Sequence, residues 1–112
     1  MSTEIVEGVR VTRYEVNVLP ESYGEAHHWA VTVEYRGEGK WAVLHFGYCL
    51  GSDGEWDYEP SPSNRADDWL ETHRFDVGEA LKLAREHAPQ VSVNGLTPAD
   101  ILARHPELAA RA

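Results

Sequence analysis

Among the side chains of the 112-residue chain whose types ligate metals or pair a nucleophile with its base, His45, Cys49 and His73 are the candidates for one site. His45 and Cys49 are four apart. On one extended strand they would share a face but sit about 13 Å apart along it, too far to hold one ion unless a bulge shortens the path. Zinc sites use closely spaced Cys or His pairs in turns and helices, and this chain has a single cysteine. His27 and His28 are adjacent and would point opposite ways on a strand. A thiolate nucleophile needs a nearby base and a third group to orient that base, so Cys49 with His45 or His73 is a conceivable pair. A cysteine between Tyr48 and Leu50 is more often a small inert core residue. There is no Gly-x-Ser-x-Gly elbow and no glycine-rich phosphate loop before a helix. One reading of these residues is a small-ligand- or metal-binding protein, or an enzyme, built on His45, Cys49 and His73.

Carboxylates form the second group. Asp57 and Glu59 share a parity in a short run, and Asp67-Asp68 open a helical segment nearby. A pair at suitable separation, with Trp56 or Trp69 as an apolar wall, could do acid–base work. Acids at a helix start are favoured by its dipole regardless of chemistry. The third group is aromatic. Trp56, Tyr58 and Trp69 are the residue types enriched at interface anchors, and here they stand among Asp53, Glu55, Asp57, Glu59, Asp67 and Asp68. The favoured reading is a non-catalytic protein-interaction or regulatory module. Its segment 53–70 would meet a basic protein partner through Trp56, Asp57, Tyr58, Glu59, Asp67, Asp68 and Trp69, with no cofactor and no metal.

The charge map supports that choice. The formal net charge is −9, and it arises within residues 1–72, where 14 acids face 5 bases. Such a surface repels nucleic-acid phosphates and anionic membranes. The C-terminal helices carry Arg74, Lys82, Arg85, Arg104 and Arg111, but the connection from Pro89 to Thr97 is too long for a helix-turn-helix and the acids there balance the bases. One cysteine, no basic-then-apolar leader and no apolar run near 20 residues imply a soluble cytoplasmic protein.

The elements that position these residues read as strands first and helices last. Val9–Leu19 predicts a strand with a phase change near Thr12-Arg13, closed by Pro20. Trp29–Arg36 alternates cleanly, and Gly37-Glu38-Gly39 turns it into a strand over Trp41–Leu50 that is apolar on both faces. An Asp53-Gly54 turn leads to a short strand at Glu55–Glu59, and Pro60 and Pro62 stop further pairing. Ser63 or Asn64 caps a brief helix anchored by Trp69 and Leu70. Asp76 caps the best helix, whose apolar stripe is Val77, Ala80, Leu81 and Ala84; His87 falls in its last turn, before Pro89. After an Asn94-Gly95 turn, Thr97 caps a further helix that carries Ile101 and Leu102 inward. The expected fold is a single α+β domain, residues 1–112: an antiparallel three- to four-stranded meander followed by two C-terminal helices packed on one face. A homodimer through the outer face of the central strand is compatible with either functional reading.

Over GEWDYEPSPSNRADDWLETHRF, EALKLAREHAP and VSVNGLTPADIL, within residues 29–103, the chain resembles a group of small uncharacterised proteins from actinobacteria and their phages. The resemblance implies a cytoplasmic accessory protein of phage or mobile-element origin, and brings no activity or catalytic residues with it.

Overall fold

Two tight reversals decide the architecture. The first is at Glu38-Gly39, both with positive φ, and joins β2 (Val31–Gly37) to β3 (Lys40–His45). The second is at Phe46-Gly47, with φ of 49° and 78°, and joins β3 to β4 (Tyr48–Leu50). The structure, a computed structural model, describes residues 7–64 and 67–109. With β1 (Arg13–Val16) and β5 (Trp56–Tyr58), these strands form one antiparallel sheet in the order β1-β2-β3-β4-β5. The α+β class expected from the sequence is correct, but the described residues form five strands and not three or four. The apolar run Trp41–Leu50 is two strands of a hairpin, not one long strand.

That hairpin changes which residues share a face. His45 pairs with Tyr48 and Leu44 with Cys49 across a two-residue loop, so the parity of the run flips at the turn. Val31, Val33, Val43 and Leu50 lie on the inner face and are fully buried. Ala42, Leu44, Cys49 and Asp57 lie on the outer face, where Cys49 pairs with Asp57 of β5. The first strand is shorter than expected, because residues 7–12 continue the ladder by one backbone bond, from the Tyr35 N–H to the Thr12 carbonyl at 2.9 Å. Trp29 ends a turn of 3-10 helix at Ala26–Trp29 instead of opening β2. Its indole Nε1–H donates to the Leu96 carbonyl at 2.9 Å and ties the N-terminal half to the C-terminal one.

Helix α2 (Val77–His87) covers the inner face. Asp76 Oδ1 accepts the Glu79 N–H at 2.8 Å, and the stripe delivers fully buried Ala80 and Ala84 onto β2 and β3. Alanines there let the helix axis approach the sheet closely. Helix α3 (Pro98–Arg104) begins with the reciprocal Thr97–Asp100 capping box and adds Ile101 to the same core, and α4 (Pro106–Ala109) adds Leu108. The short helix α1 (Asp67–His73) does not join them. Its C-terminal turn meets Cys49, Asp57 and Glu59 from the opposite, outer side. The helices therefore sandwich one end of the sheet. None of those described is long and apolar enough to cross a membrane.

Candidate functional site

β5 ends at Tyr58, before Pro60, and the end of α1 sets His73 and the following Arg74 against the carboxylates of Asp57 and Glu59 on the outer face. His73 is buried. Its Nε2 lies 2.6 Å from Asp57 Oδ2, and its Nδ1 lies 2.7 Å from the Trp69 carbonyl and 2.8 Å from Thr72 Oγ1. A carboxylate and a carbonyl only accept, so a ring carrying both protons donates at both ends, whereas a neutral ring donates at one. The Trp69 indole stacks flat on the His73 ring, with centroids 4.0 Å apart and planes within 1°. Gly51 completes the packing: a Cβ there would sit 2.9 Å from Asp53 Oδ1 and 3.0 Å from His73 Nε2.

Arg74 is the second half of this cluster. Its Nη2 donates to Glu59 Oε1 at 2.6 Å and its Nη1 to the His73 carbonyl at 3.0 Å, with Cys49 Sγ at 3.7 Å. The guanidinium carbon lies 5.4 Å from the centre of the Trp69 ring. Arg36 approaches the other Glu59 oxygen at 3.7 Å and Glu34 at 3.5 Å. Burial pushes the Cys49 thiol up to about 11, a rise that Arg74 limits and Glu59 reinforces. At neutral pH about one thiol in ten thousand is then ionised, so Cys49 is not poised as a nucleophile. Among the described residues no buried side-chain polar atom lacks a partner. The outer cluster is a satisfied ionic clamp that holds α1 on β5.

The sequence-derived residues divide accordingly. Asp57, Glu59 and Trp69 are in the clamp. Asp68 is exposed, its carbonyl accepting from Thr72 Oγ1 at 3.2 Å, and the side chain of Asp67 lies outside the described residues. Trp56 is half-buried on the inner face, edge-on to His87 at 6.2 Å and to His45 at 6.1 Å. Tyr58 is 75% exposed. His45, Cys49 and His73 do not converge. His45 shares the inner face with Tyr48 and its Nε2 lies 3.0 Å from the His28 carbonyl, while Cys49 and His73 are on the outer side. The described residues contain no group of three or more His, Cys, Asp or Glu side chains placed to hold a metal ion.

A second locus, which the sequence reading did not single out, is the β3–β4 hairpin tip. Phe46 is 58% exposed, and its ring leans on His45, 4.7 Å between centroids, and His28, 6.1 Å. Tyr48 pairs across the strands with Tyr58, edge to face at 6.0 Å, and both are exposed. Between this tip and the Gln90–Ser92 connection runs an open groove of about 320 Å³, floored by His45 and Trp56. Gly47 is the signal in the sequence for this turn, since a lone glycine inside a strand pattern marks a break in it. No family model matches the chain, and no curated protein or solved structure matches it either.

Proposed function

We propose that this domain is a non-catalytic protein-interaction module that contacts its partner through the aromatic end of the sheet: Phe46, Tyr48 and Tyr58, beside the acidic segment 53–70. Phe46 carries the reading. It occupies a left-handed position, φ 49°, in a two-residue hairpin loop of the kind that favours Asn or Gly at that point. A bulky residue there is strained, and Phe46 recovers little of the cost by burial, since most of it faces solvent. A residue that serves neither its turn nor its core is the pattern of strain kept for a contact. Tyr48 and Tyr58 extend the same apolar surface, with aromatic side chains that lose little entropy on binding. Asp53 and Glu55 lie in the turn that leads into β5, and a net charge of −9 steers a basic partner toward this end of the sheet. Trp56 and Trp69 serve this surface from beneath, by fixing β5.

Phe46→Asn separates the roles. It gives the loop its preferred Asn-Gly pair and is expected to raise stability by about 1 kcal/mol. The same change is expected to weaken partner binding roughly tenfold, as does Tyr58→Ala. Chemical denaturation checks the first effect, and cross-linking mass spectrometry of the tagged protein in host extract checks the second. A Phe46→Asn variant that is more stable yet captures the same proteins at the same yield would remove the reading.

A further inference from the structure

The geometry points to a second contact surface, independent of the hairpin tip: the free edge of β1, where a second copy of this chain adds antiparallel to continue the sheet. Among the described residues the sheet ends in β1 on one side and β5 on the other. The Tyr35 N–H to Thr12 carbonyl bond makes that pair a hydrogen-bonded one, and antiparallel ladders alternate. Tyr14 and Val16 therefore turn their backbone groups toward β2, and Arg13 and Glu15 turn theirs to the open edge. Two copies related by a twofold axis at Tyr14 would set Arg13 opposite Glu15 of the second copy, and Glu15 opposite its Arg13. Each such pair exchanges both backbone bonds, and its side chains meet as opposite charges on the outer face.

The register is specific. Sliding by two residues opposes Arg13 with Arg13 or Glu15 with Glu15, and sliding by one aims the open backbone groups past each other. On the inner side the axis brings Tyr14 against Tyr14 of the second copy, each already packed on its own Trp41 with centroids 5.6 Å apart. Val9, Val11 and Val18 are exposed along this same stretch, apolar groups that an added strand would shelter. The β5 edge lacks this self-complementarity. The Gly51 N–H to Glu55 carbonyl bond fixes its phase, so pairing about Asp57 opposes Asp57 with itself in the close, non-bonded position. The neighbouring registers set Asp57 beside Glu55, or bring Pro60, which has no N–H, into the ladder. Charges on an edge usually prevent pairing; on β1, opposite signs two residues apart favour one antiparallel partner, the chain itself.

Sedimentation equilibrium on the full chain at physiological salt, from low micromolar to millimolar concentration, is expected to show a reversible monomer–dimer equilibrium. Glu15→Arg and Arg13→Glu, each checked for retained fold by circular dichroism, are expected to weaken the dimer at least roughly tenfold by setting like charges opposite each other. An equimolar mixture of the two variants should regain it as a heterodimer, and the swap R13E/E15R should regain it alone. A wild-type chain that stays monomeric throughout, a dimer indifferent to the single changes, or variants that fail to pair when mixed would each overturn the inference.

Discussion

Replacing Arg74 by alanine is expected to lower the unfolding free energy by about 3 kcal/mol, the largest single effect in the molecule outside the apolar core. The side chain is only 7% exposed, and Glu59, its partner at 2.6 Å, is 19% exposed. Breaking a buried pair by removing one member costs more than the pair contributes, because the remaining charge stays desolvated. Glu59 keeps Arg36 at 3.7 Å, which holds the loss at the low end of the range for such changes. The guanidinium also lies over the Trp69 ring and donates to the His73 carbonyl, so alanine would release the end of α1 as well as the charge. Lysine should recover only part of the loss, since one ammonium cannot reproduce the planar fork toward Glu59, the carbonyl and the sulfur. Arg74→Met combined with Glu59→Gln should cost less than the sum of the two singles, because packing is kept and neither charge is stranded. Urea denaturation of the wild type, the two singles and the double measures this directly. Strict additivity would mean that the pair is a surface ion pair of little consequence.

This clamp also marks the limit of what the sequence makes legible. Local chemistry can be read wherever a few neighbouring residues decide it. The Asp76 and Thr97 caps, the Glu38-Gly39 and Asn94-Gly95 turns and the buried Ala80 and Ala84 of the helical stripe all stand where the sequence puts them, while Val77 of that stripe is exposed. The clamp joins Asp57 to His73 and Glu59 to Arg74, 16 and 15 residues apart across a proline-broken loop, and no local rule chooses those partners. One local feature misleads, and its effect spreads. Phe46 is not a turn former, and the apolar alternation continues through it, so Trp41–Leu50 reads as one strand. Reversing at Phe46-Gly47 moves Cys49 from the His45 face to the Leu44 face. The grouping of His45, Cys49 and His73 dissolves because His45 stays on the inner face while Cys49 meets the His73 carbonyl on the outer one, and a thiol expected to be an inert core residue is fully buried, though beneath a charged cluster.

Titrating Cys49 is expected to expose this position thermodynamically. The thiol stands at about 11 in the folded protein against 9.0 for its unperturbed value, because burial disfavours the thiolate more than Arg74 favours it. Below pH 9 the thiol is protonated in both states and contributes no slope. Between pH 9 and 11 the unfolded chain releases the proton and the folded protein keeps it, so the unfolded state binds fewer protons and stability falls as pH rises. The gap between the two values corresponds to about 2–3 kcal/mol, and above pH 11 the slope ends because both states are ionised. Tyrosines and lysines also titrate in this range, so the measured quantity is the difference between wild type and Cys49→Ala, read from denaturation at each pH. That difference should shrink or reverse by the stated amount from pH 9 to 11; parallel curves would mean that the thiol is hydrated in the folded state. Arg74 links this measurement to the clamp. It lowers the thiol's titration, so Arg74→Met should drive Cys49 higher still and carry the alkaline loss beyond pH 11, because the cation that favours the thiolate has been removed. A slope that ended at the same pH with and without Arg74 would show that the guanidinium and the sulfur, 3.7 Å apart, do not sense each other, and the clamp would then consist of the Arg74–Glu59 and His73–Asp57 pairs alone.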